Sequence, residues 1–100
     1  MDTNAPVRET VYGPMALPDD PTDLIRRFLE SYGEWGYLEA LIVSQLARPG
    51  ARVVDVGAFI GTFGLGVAAL GASQVVAVEP SAEPFRLLEQ NFRSNCSVPY

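Results

Sequence analysis

The apolar positions of this chain follow two patterns, and the change between them divides it near residue 50. Before that point they recur at helical spacing. Leu24, Ile25, Phe28, Leu29 and Tyr32 share one face of a helix, and Leu38, Leu41, Ile42 and Leu46 share a face of a second. After it they come as short unbroken runs, 52–56 and 74–78, rich in β-branched residues. A strand covered by helices on both faces reads this way, whereas a surface antiparallel strand alternates. A helix over 61–70 separates the two runs. Another over 82–93 follows the second, with Phe85, Leu88 and Phe92 as its core stripe. The order from residue 51 is strand, helix, strand, helix, which predicts a parallel sheet with right-handed crossovers.

Local punctuation sets the boundaries. Asp20 suits the N-cap of the first helix and Pro21 its first position, where a missing N–H costs nothing. Asp23 adds negative charge near the positive end of the helix dipole. Gly33 ends that helix. The stretch 34–37 connects to the second helix, which runs to about Ala47 and is stopped by Pro49-Gly50. Gly64 and Gly66 sit inside the third helix, each at a cost of about 1 kcal/mol relative to alanine. A helix accepts that cost where another backbone must come close. Ser81 reads as the N-cap of the last helix, with Pro84 in its first turn. Residues 1–6 read as a loose tail. Residues 8–17 read as a small hairpin turning at Gly13-Pro14 and carrying Val11, Tyr12, Met15 and Leu17, with an ordered coil as the alternative. Residues 94–100 read as a loop holding the first residues of a third strand. The chain thus divides into a lead-in over 1–50 and, over 51–100, the first βαβα half of a cofactor-binding domain.

Composition narrows the chemistry. With 48% apolar residues in 100, the chain has the makings of one small packed domain. A net charge of −5 without a basic patch speaks against nucleic-acid binding. The absence of histidine removes the commonest general base and metal ligand, and the lone Cys96 removes any internal disulfide framework. No metal site is expected. The N-terminus lacks the basic and apolar segments of a signal peptide, and no apolar run approaches the length of a membrane span, so a soluble cytoplasmic protein is expected.

Three features meet at the carboxyl ends of the two strands, where open α/β sheets bind ligands. The turn after the first strand carries Gly57 and Gly61, whose lack of a side chain lets a ligand approach the backbone at a helix N-terminus. Asp55 precedes Gly57 by two residues and would repel a pyrophosphate but welcome an amino group. Glu79 ends the second strand, where an acidic side chain accepts the two hydroxyls of a ribose. The glycines fall as Gly57, Gly61 and Gly64, which is not the G-x-G-x-x-G of nicotinamide sites, and no P-loop lysine follows. The pattern D-x-G-x-x-x-G with a later Glu resembles the first motif of class I S-adenosylmethionine-dependent methyltransferases.

That resemblance extends over about residues 10–95. Tyr12-Gly13-Pro14-Met15, Leu29-Glu30-Ser31-Tyr32-Gly33-Glu34-Trp35, the run from Arg48-Pro49-Gly50 to Gly61, and Val76-Ala77-Val78-Glu79-Pro80 with Phe85, Leu87-Leu88 and Asn91 resemble the FkbM-type methyltransferase family. The resemblance implies a Rossmann-like sheet and O-methylation of a small-molecule or sugar hydroxyl. It implies that Gly57, Ala58 and Phe59 contact the methionine part of S-adenosylmethionine through backbone groups, and that Gly61 permits the tight helix entry. It implies further that Asp55 faces the cofactor amino group, Glu79 holds the ribose and Pro80 lines the adenine. One departure is Phe59, where the family usually has asparagine. Either the turn differs here or cofactor affinity falls, because a bulky residue adopts left-handed angles only with strain. The ring either folds over the core or faces the ligand. Tyr32, Glu34 and Trp35 lie beside the pocket or serve packing, with packing preferred for Trp35.

Sheets of that family have about seven strands and about twice this length. The expectation is therefore an N-terminal fragment or truncated gene product without the acceptor site and catalytic base, which would not transfer methyl groups alone. The alternatives are a non-catalytic module that joins another chain, or a second copy, through its open sheet edge, and a different nucleotide-binding unit.

Overall fold

The structure, a computed structural model, describes residues 5–100; the expected tail at 1–6 lies mostly outside the described residues. Eight elements follow in order: β1 (Val7–Thr10), β2 (Gly13–Ala16), α1 (Leu24–Tyr32), α2 (Tyr37–Leu46), β3 (Arg52–Val56), α3 (Thr62–Ala69), β4 (Gln74–Val78) and α4 (Ala82–Asn95). The fold is α/β, with four helices, one antiparallel hairpin and one parallel strand pair. No helix among the described residues is long and apolar enough to cross a membrane.

The hairpin forms, but it turns at Val11-Tyr12 and not at Gly13-Pro14. Gly13 already pairs with Thr10, and Pro14 with Glu9. The Thr10 hydroxyl decides this: it accepts the Tyr12 N–H at 3.0 Å and donates to the Gly13 carbonyl at 2.7 Å, closing the tip two residues earlier. Met15, Ala16 and Leu17 then enter the core under α4.

Helix α1 also starts later than its first capping signal. Asp23 is its N-cap and accepts the Arg26 N–H at 2.8 Å. Asp20 instead takes the N–H and hydroxyl of Thr22, and these hydrogen bonds, the hydroxyl first, lower its carboxyl pKa. Pro21 lies in that turn, outside the helix. Gly33 closes α1 with φ of 73°.

The apolar stripe of α1 is only partly buried, and that of α2 is mostly outside. In α1 only Leu29 is fully buried, while Leu24 and Tyr32 are exposed, because the helix packs on just the narrow hairpin. In α2 the buried residue is Ala40, and Leu46 is 82% exposed. The reason is close helix approach. A Cβ added at Gly66 of α3 would lie 2.9 Å from the Ala40 Cβ, so the small-residue faces of α2 and α3 meet and the leucines turn away. Gly64 meets the same need: an added Cβ would lie 2.6 Å from the Phe92 ring and 3.1 Å from Val75. Helix α4 buries Leu87, Leu88, Asn91 and Phe92, leaving Phe85 half-exposed. Ser81 occupies its N-cap position without a side-chain capping bond.

Strands β3 and β4 pair in parallel, Val54 opposite Val76 and Val56 opposite Val78. Burial on both faces is not observed. Val53 and Val75 face the helices, but Val54, Val56, Val76 and Val78 form an open face, with Val56 78% exposed. Among the described elements all helix cover lies on one side. The tail after α4 contributes one rung, with Val75 N–H donating to the Pro99 carbonyl at 3.1 Å, and no third strand.

Candidate functional site

Strand β3 delivers the chain into a turn over 57–61 in which three residues take left-handed angles: Gly57 at φ 82°, Phe59 at 53° and Gly61 at 106°. Phe59 is the one described non-glycine residue with positive φ. So the turn keeps the left-handed geometry despite its bulky residue, which costs about 1–2 kcal/mol. What holds it is β4. The N–H groups of Gly57 and Ala58 both donate to the Val78 carbonyl, at 2.8 and 3.0 Å. The Glu79 carboxylate accepts the Phe59 N–H at 2.8 Å with one oxygen and the Ser81 N–H at 3.0 Å with the other.

This arrangement takes up donors of the turn within the chain. The N–H groups of Gly57, Ala58, Phe59 and Gly61 are all satisfied within the chain, the last by the Ala58 carbonyl at 3.0 Å. The carbonyls of Gly57 and Phe59, both residues of the cavity lining, accept no hydrogen bond from the described residues. Donors lie one step on. Helix α3 has no side-chain cap, and the N–H groups of its first turn have no intrahelical acceptor. Acceptors and donors thus face one space from adjacent positions.

That space is a cavity of about 280 Å³. Asp55, Gly57, Ala58 and Phe59 form one side, Thr62 and Phe63 of α3 the end, and Ile25, Trp35, Gly36 and Glu39 the facing wall. A second cavity of about 300 Å³ shares Trp35, Gly36 and Glu39. Of the expected site residues, the structure brings Asp55, Gly57, Ala58 and Phe59 together. Glu79 joins them through its bond to Phe59. Gly61 lies behind the turn against Phe92 and Leu88, and Pro80 is exposed and outside the cavity wall. Phe59 serves both functions considered for it, packing on the core and lining the cavity.

Comparison with protein-family models, with curated proteins and with solved structures finds no match to this chain. The site therefore rests on its own geometry and charge.

No arginine lines the cavity, and among the described residues no donor bonds the Asp55 carboxylate. Burial raises the Asp55 carboxyl above its usual range, and repulsion from Glu79 adds to this. The native carboxyl therefore holds its proton more tightly than the unfolded one. The stabilising effect of that proton is present at low pH and is lost as pH rises through the raised value. Asp55→Asn is expected to raise stability at pH 7, by less than about 1 kcal/mol after solvent screening, which a melting curve would show as a higher midpoint. The gain should fade at acid pH, where Asp55 itself is protonated. A gain equal at both pH values would show that the charge is not the cause. Among the described residues no three metal-ligating side chains gather.

The facing wall depends on contacts between residues that lie far apart in the sequence. Tyr12, at the hairpin tip, donates its hydroxyl to the Trp35 carbonyl at 3.1 Å and accepts the Trp35 N–H at 3.3 Å. Burial pushes its phenol up to about 12, so it stays protonated. Phe28 meets the Trp35 ring edge-on with centroids 5.2 Å apart. Trp35 is thereby both a packing residue and a cavity wall. Glu39 and Phe63 had no local signal as site residues, since each lies on a helix with nothing to mark it.

Proposed function

We propose that this chain binds S-adenosylmethionine, as the cofactor-binding portion of an FkbM-type class I methyltransferase. In this reading β3, α3, β4 and α4 form the first half of a Rossmann-like sheet, and the complete enzyme methylates a hydroxyl of a small molecule or sugar. The observation that carries the reading is the division of polarity in the 280 Å³ cavity. An α-amino acid end group has an ammonium and a carboxylate on one carbon. The Asp55 carboxylate and the free carbonyls of the turn suit the first, and the uncapped N-terminus of α3 suits the second. The cavity is at the small end of ligand sites and suits the methionine part of the cofactor.

Glu79 supports the same reading from the next strand. A carboxylate offers about four lone-pair positions, and two are used by Phe59 and Ser81. The others would accept ribose hydroxyls, with the turn bonds holding the carboxylate in place. A nicotinamide dinucleotide fits less well, because its pyrophosphate would meet Asp55 and Glu39 with no cation nearby. Bound S-adenosylmethionine supplies an activated methyl group on a sulfonium. This chain's own residues bind and orient it.

The test is calorimetric titration of the folded chain with S-adenosylmethionine, with far-UV circular dichroism on the same sample. Saturable binding is expected, without competition from NAD. Glu79→Ala should weaken it by about 1.5–3 kcal/mol for each lost hydrogen bond to the charged group, roughly 10- to 150-fold. Glu79→Gln, which keeps an acceptor for Phe59, should lose less. Unchanged affinity in a folded Glu79→Ala variant would remove Glu79 from the site, and absence of binding by the folded chain would remove the cofactor.

A further inference from the structure

The cavity carries more negative charge than an amino-acid end group requires, and it carries it on opposite walls. Asp55 lies on the β3 side and Glu39 on the α2 side, while the aromatic residues Trp35, Phe59 and Phe63 line the same space. None of the chain's seven basic residues, all arginines, lines it. Arg8, Arg26 and Arg93 are paired elsewhere with Glu30 or Glu89. A neutral ligand would leave the second carboxylate without a charge partner. An organic cation would supply one, since ring faces and carboxylates attract the same charge, most strongly where water is excluded.

We infer that this cavity selects its ligand by positive charge, and takes an onium centre, sulfonium or ammonium, in preference to a neutral group of the same shape. The inference rests on the cofactor reading above for the ligand's identity, but the charge preference rests on the cavity alone. Asp55 serves the α-ammonium, which S-adenosylmethionine and its demethylated product S-adenosylhomocysteine share. Glu39 and the three rings serve the second positive centre, two methylene groups from the α-carbon, which the product has lost. The consequence is preferential binding of the methyl donor over the spent thioether.

The experiment compares three ligands of nearly equal size by calorimetry on the full chain. They are S-adenosylmethionine, S-adenosylhomocysteine, and an analogue with a carbon-borne ammonium in place of the sulfonium. The two onium ligands are expected to bind alike and at least tenfold more tightly than the thioether. Glu39→Gln, a change at an exposed helix position that leaves the fold intact, should weaken the two cations several-fold and leave the thioether unchanged. Phe63→Leu should act in the same direction. Equal binding of all three ligands would overturn charge selection and leave the cofactor reading standing, as would variants that weaken all three equally. Trimethylsulfonium is the fourth probe, followed by chemical-shift changes at Trp35, Phe59 and Phe63. A folded chain that binds it but none of the adenosyl ligands would uphold the cation site and overturn the cofactor reading. A folded chain that binds none of the four would overturn both.

Discussion

Asn91→Ala is expected to destabilise the chain by about 3–5 kcal/mol, roughly a fifth or more of the stability available to a domain of this size. Asn91 is 1% exposed. Its side-chain oxygen accepts the Ala16 N–H at 2.7 Å, and its amide donates to the Ala16 and Ile60 carbonyls, both at 3.0 Å. One side chain thus joins α4 to the hairpin and to the turn beneath the cavity. Alanine would leave one N–H and two carbonyls buried without partners, each costing about 1–3 kcal/mol, in addition to a void. Urea unfolding followed by circular dichroism checks this. Asn91→Leu separates the causes, because it refills the volume without the hydrogen bonds. Full recovery of stability in that variant would show that packing, not polar satisfaction, is what Asn91 supplies.

Gly61→Ala is the second large effect, at about 2–5 kcal/mol, and it has two independent sources. At φ 106° an L-residue is strained, by about 1–2 kcal/mol. The added Cβ would also lie 2.9 Å from the Phe92 ring and 3.0 Å from a Leu88 methyl, both deep in the core, and overpacking there typically costs 1–3 kcal/mol or about that. Gly50 provides the control. It has φ of 75° with nothing within 4 Å of an added Cβ, so Gly50→Ala should show the strain alone, about 1 kcal/mol. Equal losses at the two positions would mean that the core yields freely around Gly61. In that case the turn is not fixed by its contact with α4. Because Phe59 and Ala58 belong to the same turn, Gly61→Ala should also weaken ligand binding.

How far the sequence reached can be argued from particular residues. The order of helices and strands after residue 50 was legible, because short β-branched runs bounded by glycine and proline leave few choices. The meeting of Asp55, Gly57, Ala58 and Phe59 was legible for the same reason: they are contiguous, and a strand leading into a helix exposes its turn. The glycines of α3 signalled close approach correctly. Their partners, Ala40, Val75 and Phe92, come from three separate elements and had no signature.

Where the sequence misled, local signals competed, and in the hairpin and α1 a side-chain hydrogen bond two or three residues long decided, whereas in α2 and the sheet distant packing did. Gly13-Pro14 is a turn signal, but the Thr10 hydroxyl closed the hairpin earlier. Asp20 and Asp23 are both capping residues, and only Asp23 meets the helix. The leucines of α2 form the more apolar face, yet the alanine face is buried, because Gly66 lets α3 come within van der Waals contact there. The two strands read as covered on both faces, whereas in the structure one face is open.

By itself, the sequence determined the elements and the chemistry of the turn: which residues are contiguous, which are charged, and which accept unusual backbone angles. Only the tertiary structure decided that the N–H groups of Gly57, Ala58 and Phe59 are taken up by Val78 and Glu79, while the carbonyls of Gly57 and Phe59 stay without a partner among the described residues. Only the tertiary structure placed Glu39 and Trp35 across from Asp55, through a hairpin tip that grips Trp35 from 23 residues away. The physical reason is that backbone propensity and periodicity act over a few neighbouring residues. The satisfaction of a buried hydrogen bond, or the closeness of two helices, depends on which distant surfaces pack together, and that is decided only when the chain folds as a whole.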